Sequence, residues 1–204
     1  MKKIAVYCGS SASPNEIYRT RTAQLGRYLA ENNMDIIFGG GKVGMMGILA
    51  DAALEAGGNV IGVIPGFLHV KEVAHTGLTQ LITVDTMHER KALIEQMCDA
   101  AIALPGGFGT LEELFEMLTW GQLGLHDKAV GILNINGFYE QFLAAVDRMV
   151  DEGFLKDVNR DMLLVSEHIE ELLELMRNYA PPRVRKWIMD GDPDNSIPFK
   201  GVQP

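Results

Sequence analysis

The sequence predicts an α/β fold with a mostly parallel sheet of six to seven strands. Three observations carry this. Short apolar or β-branched runs alternate with longer amphipathic segments, as in successive βα units. Helix-start signatures of the form S/T-x-x-E recur between those runs. Glycine-rich loops follow the first, second and fifth runs, where a parallel sheet passes into helix N-termini.

Taken in order, the strands are expected at Lys3–Cys8, Asp35–Phe38, Asn59–Ile64, Gln80–Val84, Ala100–Leu104, Ala129–Leu133 and Met162–Val165. Ser13-Pro14-Asn15-Glu16 reads as a capping box with proline at the first helical position, opening a helix to about Asn32. A helix over Met45–Ala56 is expected to stop at Gly57-Gly58, since glycine takes the left-handed cap conformation. Thr86-Met87-His88-Glu89 starts a helix toward Met97, and Thr110-Leu111-Glu112-Glu113 reads as a third box. Helices over Phe138–Glu152 and His168–Tyr179 follow from apolar positions at helical spacing, such as Ile169, Leu172, Leu173 and Met176. These make one domain over residues 1–180. After Pro181-Pro182 periodicity is lost, and residues 181–204 read as a mobile tail or a strap on a partner subunit.

Composition narrows the function. A net charge of −9 opposes binding to nucleic acid, whose affinity rests on surplus Lys and Arg at the phosphates. Cys8 and Cys98 lie far apart with no C-x-x-C, so neither a disulfide framework nor a zinc site is expected, and a reducing cytoplasm fits best. The apolar run IAVYC is too short for a signal core, and no stretch has the roughly 18 apolar residues of a membrane span. The five histidines form no H-E-x-x-H array and Ser10-Ser11 no G-x-S-x-G elbow, so neither metal nor serine-hydrolase chemistry is expected.

Ligands of an open parallel sheet collect beyond the carboxyl ends of its strands. The loop CGSSASP offers Gly9 and Ser10 there, and GGGKVGMMG offers Gly40 and Gly41. The latter contains G-x-G-x-x-G at Gly39, Gly41 and Gly44, but on the second strand and without a following acidic residue for a dinucleotide ribose. It reads either as a tight turn or as backbone beside a ligand. In PGGFGT, Gly106, Gly107 and Gly109 clear space where backbone N–H groups and the Thr110 hydroxyl can meet an anion. The other reading is a capping box that needs no ligand. Arg90 and Lys91 stand near a helix start, where cations oppose the helix dipole; they are a solvated face or they attend an anion or carboxylate.

PGGFGTLEE at Pro105–Glu113 fits P-G-G-x-G-T-x-x-E. With MHERK at Met87–Lys91 and GGGKVGMMG at Gly39–Gly47, it resembles the LONELY GUY family of cytokinin riboside 5'-monophosphate phosphoribohydrolases, often mislabelled lysine decarboxylases. The similarity runs from Ile4 to about Leu155 and includes CGSS, TWGQLGLHDK and GFY. The resemblance implies a Rossmann-like fold and a homodimer with active sites near its interface. It also implies cleavage of a nucleoside 5'-monophosphate to free base and ribose 5-phosphate; no cofactor or metal is expected. It carries over Arg90 and Glu113 as the catalytic pair, and Gly107, Gly109 and Thr110 as a phosphate cradle. Gly9, Ser10, Gly40, Gly41, Met87, Lys91 and Gly106 complete the expected substrate contacts.

Those residue types suit the chemistry. Breaking an N-glycosidic bond leaves positive charge on the ribose, which a carboxylate such as Glu113 can stabilise while it orients or deprotonates water. Arg90 can bind ribose hydroxyls or phosphate and favour the ionised Glu113. Two other classes fit these residues less well. A nonenzymatic nucleotide or phospho-ligand carrier would have no use for the carboxylate. A lysine decarboxylase would need pyridoxal phosphate, for which no lysine stands in a recognisable motif.

Overall fold

The computed structural model describes residues 1–69 and 74–182. The expected tail from residue 183 onward lies outside the described residues. Among those described, seven strands form one sheet in which every pairing is parallel. They are β1 (Lys3–Tyr7), β2 (Asp35–Phe38), β3 (Val60–Pro65), β4 (Gln80–Val84), β5 (Ala100–Ala103), β6 (Ala129–Leu133) and β7 (Leu163–Ser166). Their order is β4-β3-β2-β1-β5-β6-β7. β1 is therefore central, with Ile4 beside Ile36 of β2 on one side and Ala100 of β5 on the other.

Period-two alternation splits the core in two. Ile4, Val6 and Cys8, with Ile36, Phe38, Ile102 and Leu104, face α1 (Glu16–Glu31), α2 (Gly44–Glu55) and a C-terminal helix, Ile169–Arg177. Ala5, Tyr7, Ile37, Ala101 and Ala103 face the opposite layer. That layer holds α4 (Met87–Met97), α5 (Phe108–Gln122) and α6 (Glu140–Asp151), once the short α3 (Gly66–His69) has been passed. Both faces are buried, as a parallel sheet requires. The α1–α2 contact depends on Gly26, whose Cβ would stand 2.5 Å from the Leu49 carbonyl oxygen. A short α7 (Asp157–Arg160) and a C-terminal α8 (Ile169–Arg177) complete the order.

Two of the three expected capping boxes do not form. α1 begins at Glu16, capped by Asn15, whose side chain accepts from the Ile17 N–H at 3.2 Å. Ser13 instead accepts from the Asn15 N–H at 3.2 Å, so Ser13 and Pro14 lie in the approach loop and not in the helix. The third box fails in the opposite sense. α5 starts at Phe108 with Gly107 as its N-cap and no side-chain cap, which puts Thr110 third and Glu113 sixth in the helix. The two segments reach their helices later and earlier, respectively, than the spacing of Ser, Thr and Glu implies, because neighbouring loops decide where the backbone turns. The Thr86 cap forms, with Thr86 Oγ1 accepting from the Glu89 N–H at 3.1 Å, while Glu89 Oε2 accepts from the Asp85 N–H at 2.9 Å. α2 ends as expected before Gly57, at φ +77°.

Candidate active site

The sheet order reverses between β1 and β5, and the loops leaving these two strands diverge over a crevice. Its halves share Gly9, Ser10 and Gly107. On the α1–α2 side a cavity of about 380 Å³ is walled by Tyr18, Met45, Pro105 and Phe138. On the α4–α5 side a compartment of about 200 Å³ is lined by Tyr7, Gly39, Met87, Arg90, Thr110 and Glu113.

The cradle is built from what glycine leaves out. A Cβ on Gly106 would stand 2.1 Å from Thr110 Oγ1, so this position admits no side chain and holds the loop against α5. At Gly107 and Gly109 a Cβ would meet nothing within 4 Å. Packing does not ask for glycine there, and the space they leave lies over the start of a 15-residue helix. The N–H groups of Phe108, Gly109 and Thr110 precede that of Leu111, the first to donate within the helix, to the Gly107 carbonyl oxygen, and these residues line the space, an arrangement suited to an anion. Below it, the buried Tyr139 donates its hydroxyl to the Leu104 carbonyl oxygen at 2.6 Å, anchoring the end of β5.

Arg90 is 7% exposed, an unusual place for a guanidinium. It donates from Nε to the Val63 carbonyl oxygen at 3.1 Å and from Nη2 to that of Gly39 at 3.2 Å. A side chain at Gly39 would displace the guanidinium from this seat, since its Cβ would lie 1.8 Å from Nη2. Among the described residues no carboxylate forms an ion pair with Arg90. Burying a cation without a counter-charge costs several kcal/mol, roughly, even after relaxation. Two strand-end carbonyls offset part of that cost, and an anionic ligand would supply the rest.

Glu113 projects from the second turn of α5 into the same compartment. It makes no side-chain hydrogen bond or ion pair among the described residues. Loss of hydration pushes its carboxyl up to about 7; Arg90 opposes this, Glu112 and Glu116 add to it, and Lys91 opposes it weakly. Desolvation thus outweighs the Arg90 charge that the sequence reading expected to keep Glu113 ionised. A carboxyl poised near neutrality is fit for general-base work.

Not every expected contact converges. Gly9, Ser10, Met87, Arg90, Gly107, Gly109, Thr110 and Glu113 line the α4–α5 compartment, and Gly106 the cavity beside it. Lys91 does not line either half: it pairs with Glu112 and with Glu116, the latter at 3.0 Å. Gly40 and Gly41 also stand back. Gly40, at φ +77°, accepts from the His75 N–H at 3.0 Å, and Gly41 bridges to Ala74. His75 is itself fixed by Asp51 at 2.8 Å. These two glycines tie the loop to the His75 segment, and Gly39 is the residue of that loop which lines the compartment. Sequence reasoning passed over Tyr7, Tyr18 and Phe138. The first two look like core positions, and Phe138 was visible only within the GFY motif.

A family model described as "Possible lysine decarboxylase" matches residues 46–176. The chain is 42% identical, over 95% of its length and 92% of the relative's, to a cytokinin riboside 5'-monophosphate phosphoribohydrolase of Arabidopsis thaliana. The chain belongs to the LONELY GUY family. A rice (Oryza sativa subsp. japonica) phosphoribohydrolase of the same description is 43% identical over 88% of this chain and 74% of its own. Among solved structures, the molybdenum cofactor binding protein of Rippkaea orientalis shares the fold, with a TM-score of 0.64. It is 21% identical, and the match covers 87% of this chain and 96% of that one. In this family member no helix among the described residues is long and apolar enough to cross a membrane. Cys8 and Cys98 are both free and buried.

Proposed function

We propose that the chain hydrolyses the N-glycosidic bond of cytokinin riboside 5'-monophosphates, and of AMP, releasing the adenine-type base and ribose 5-phosphate. The observation that carries this is the pairing of a buried, unneutralised Arg90 with a carboxyl held near neutrality at Glu113, both lining one compartment beside the α5 N-terminus. The family's phosphoribohydrolases at 42% identity support the same reading.

In this reading the phosphate sits on the N–H groups of Phe108, Gly109 and Thr110. Its binding energy orients the sugar, which favours nucleotides over nucleosides. Arg90 holds the ribose or phosphate from below, and the negative ligand in turn relieves the cost of burying Arg90. Glu113, once ionised, faces the ribose as its ring gains positive charge. It takes a proton from the attacking water while the bonding electrons leave with the base.

The active molecule is a homodimer in this proposal. Phe115 and Met149 are exposed beside an apolar groove of about 190 Å³ between α5, α6 and the Leu155–Leu163 segment, and Phe154, 88% exposed, adjoins it. A second copy covering this face would shield apolar surface that a monomer leaves in water.

Incubation with AMP and with an N6-prenylated AMP, followed by chromatography, should release free base and ribose 5-phosphate. Ligand-induced thermal protection with no product from either would favour a carrier instead.

A further inference from the structure

β1 ends in Tyr7, which is 6% exposed and lines the compartment that holds Glu113. Its ring packs on the α4–α5 face of the sheet, among Ala5, Ala103, Leu114 and Met117. Its phenol oxygen has no hydrogen-bond partner among the described residues. The groups whose charges reach it are Glu113 foremost, then Cys98, Glu116 and Glu95. Three of these are engaged elsewhere: Glu116 with Lys91 at 3.0 Å, Glu95 with Lys128 at 2.5 Å, and Cys98 Sγ with the Glu95 carbonyl oxygen at 3.4 Å. Glu113 is the acceptor left over. Burial and the surrounding carboxylates hold the phenol well above its ordinary range, so it stays a protonated donor while Glu113 titrates.

We propose that Tyr7 is a positioning residue for the hydrolysis, its phenol O–H directed to the Glu113 carboxylate through one water in the groove between α4 and α5. The proposal rests on the role of Glu113 given above. A donor and an acceptor without side-chain partners among the described residues line one compartment, and a single water satisfies both. The bridge favours the ionised form of Glu113 and fixes the direction in which it faces the sugar. The other groups whose charges couple to Glu113 are Arg90 and Lys91 from α4, Glu112 and Glu116 from α5, and Cys8 just after β1.

Tyr7→Phe keeps the ring and removes the donor. With AMP as substrate, KM should change less than about twofold, while the acid limb of kcat/KM moves up by about one pH unit, the effect of losing one hydrogen bond to a charged group. 3-Fluorotyrosine at position 7, a stronger donor, should move the limb down. A limb that coincides in the parent, Tyr7→Phe and fluorotyrosine proteins overturns the proposal. So does a Tyr7→Phe protein with altered KM and melting temperature but an unmoved limb. NMR titration of ¹³C-labelled Glu113 in the free protein reads the same shift without turnover. Loss of activity in the parent would therefore sink the reaction assignment and leave the Tyr7 test standing.

Discussion

Glu113 and Arg90 show how one side chain's energy depends on what its neighbours omit. Glu113 lacks hydrogen-bond donors among the described residues and loses hydration, so its folded pKa rises from 4.5 to about 7. The folded protein then holds a proton that the unfolded chain has released, and stability falls as pH rises from about 4.5 to about 7. Glu113→Gln removes that loss. The variant should melt close to the parent near pH 4.5 and be more stable at pH 8 by up to about 3 kcal/mol, measured by thermal unfolding across pH. Its kcat should drop by about 10²- to 10⁴-fold. A fall in melting temperature would instead point to a helix cap, the role the T-x-x-E spacing suggested. In the parent, kcat/KM should rise with pH through about 7 as Glu113 ionises. Of these residues, Arg90 and Glu113 were legible from their motifs; the neutral-range carboxyl was not. Desolvation depends on atoms from β1 and α4 that lie far away in the chain.

The α5 N-terminus separates glycines that hold the fold from glycines that leave room. Gly39 and Gly106 are hemmed in by Arg90 and Thr110, whereas Gly107 and Gly109 face open space. Gly109→Ala places a better helix former in the first turn of α5, so the free protein should gain about 0.5–1 kcal/mol while KM for AMP rises. Calorimetry and steady-state kinetics on one preparation would reveal this opposition; a loss of stability would assign Gly109 a structural role. Element order, the three exact strand spans Asp35–Phe38, Gln80–Val84 and Ala129–Leu133, and the Thr86 cap follow from local pattern. The starts of α1 and α5 do not. Each segment turns into its helix where the loop packs, and Asn15 and Gly107 take the cap position in place of Ser13 and Thr110, the residues with the stronger local signature.

At the scale of the molecule, the crevice exists because β1 and β5 are adjacent while their connections depart to opposite sides. α1 and α2 close one layer and α4 and α5 the other, so the glycine loops meet over the sheet's central edge. The apolar groove lies away from that edge, on α5 and α6. Met149→Asp should convert a dimer to a monomer in sedimentation equilibrium without unfolding it, because Met149 is already 38% exposed. A monomeric parent, or a variant that remains dimeric, would remove this face from the assembly.

By itself the sequence determined the class of fold, the order of its strands along the chain and the motifs Pro105–Glu113 and Met87–Lys91, because these rest on local periodicity and short spacings. Tertiary structure decided which glycines face the ligand space, that Lys91 belongs to Glu112 and Glu116, and that Tyr7 shares the compartment of Glu113. Those outcomes depend on strand order and on the burial it creates, and burial is a property of neighbours that the chain brings together only on folding.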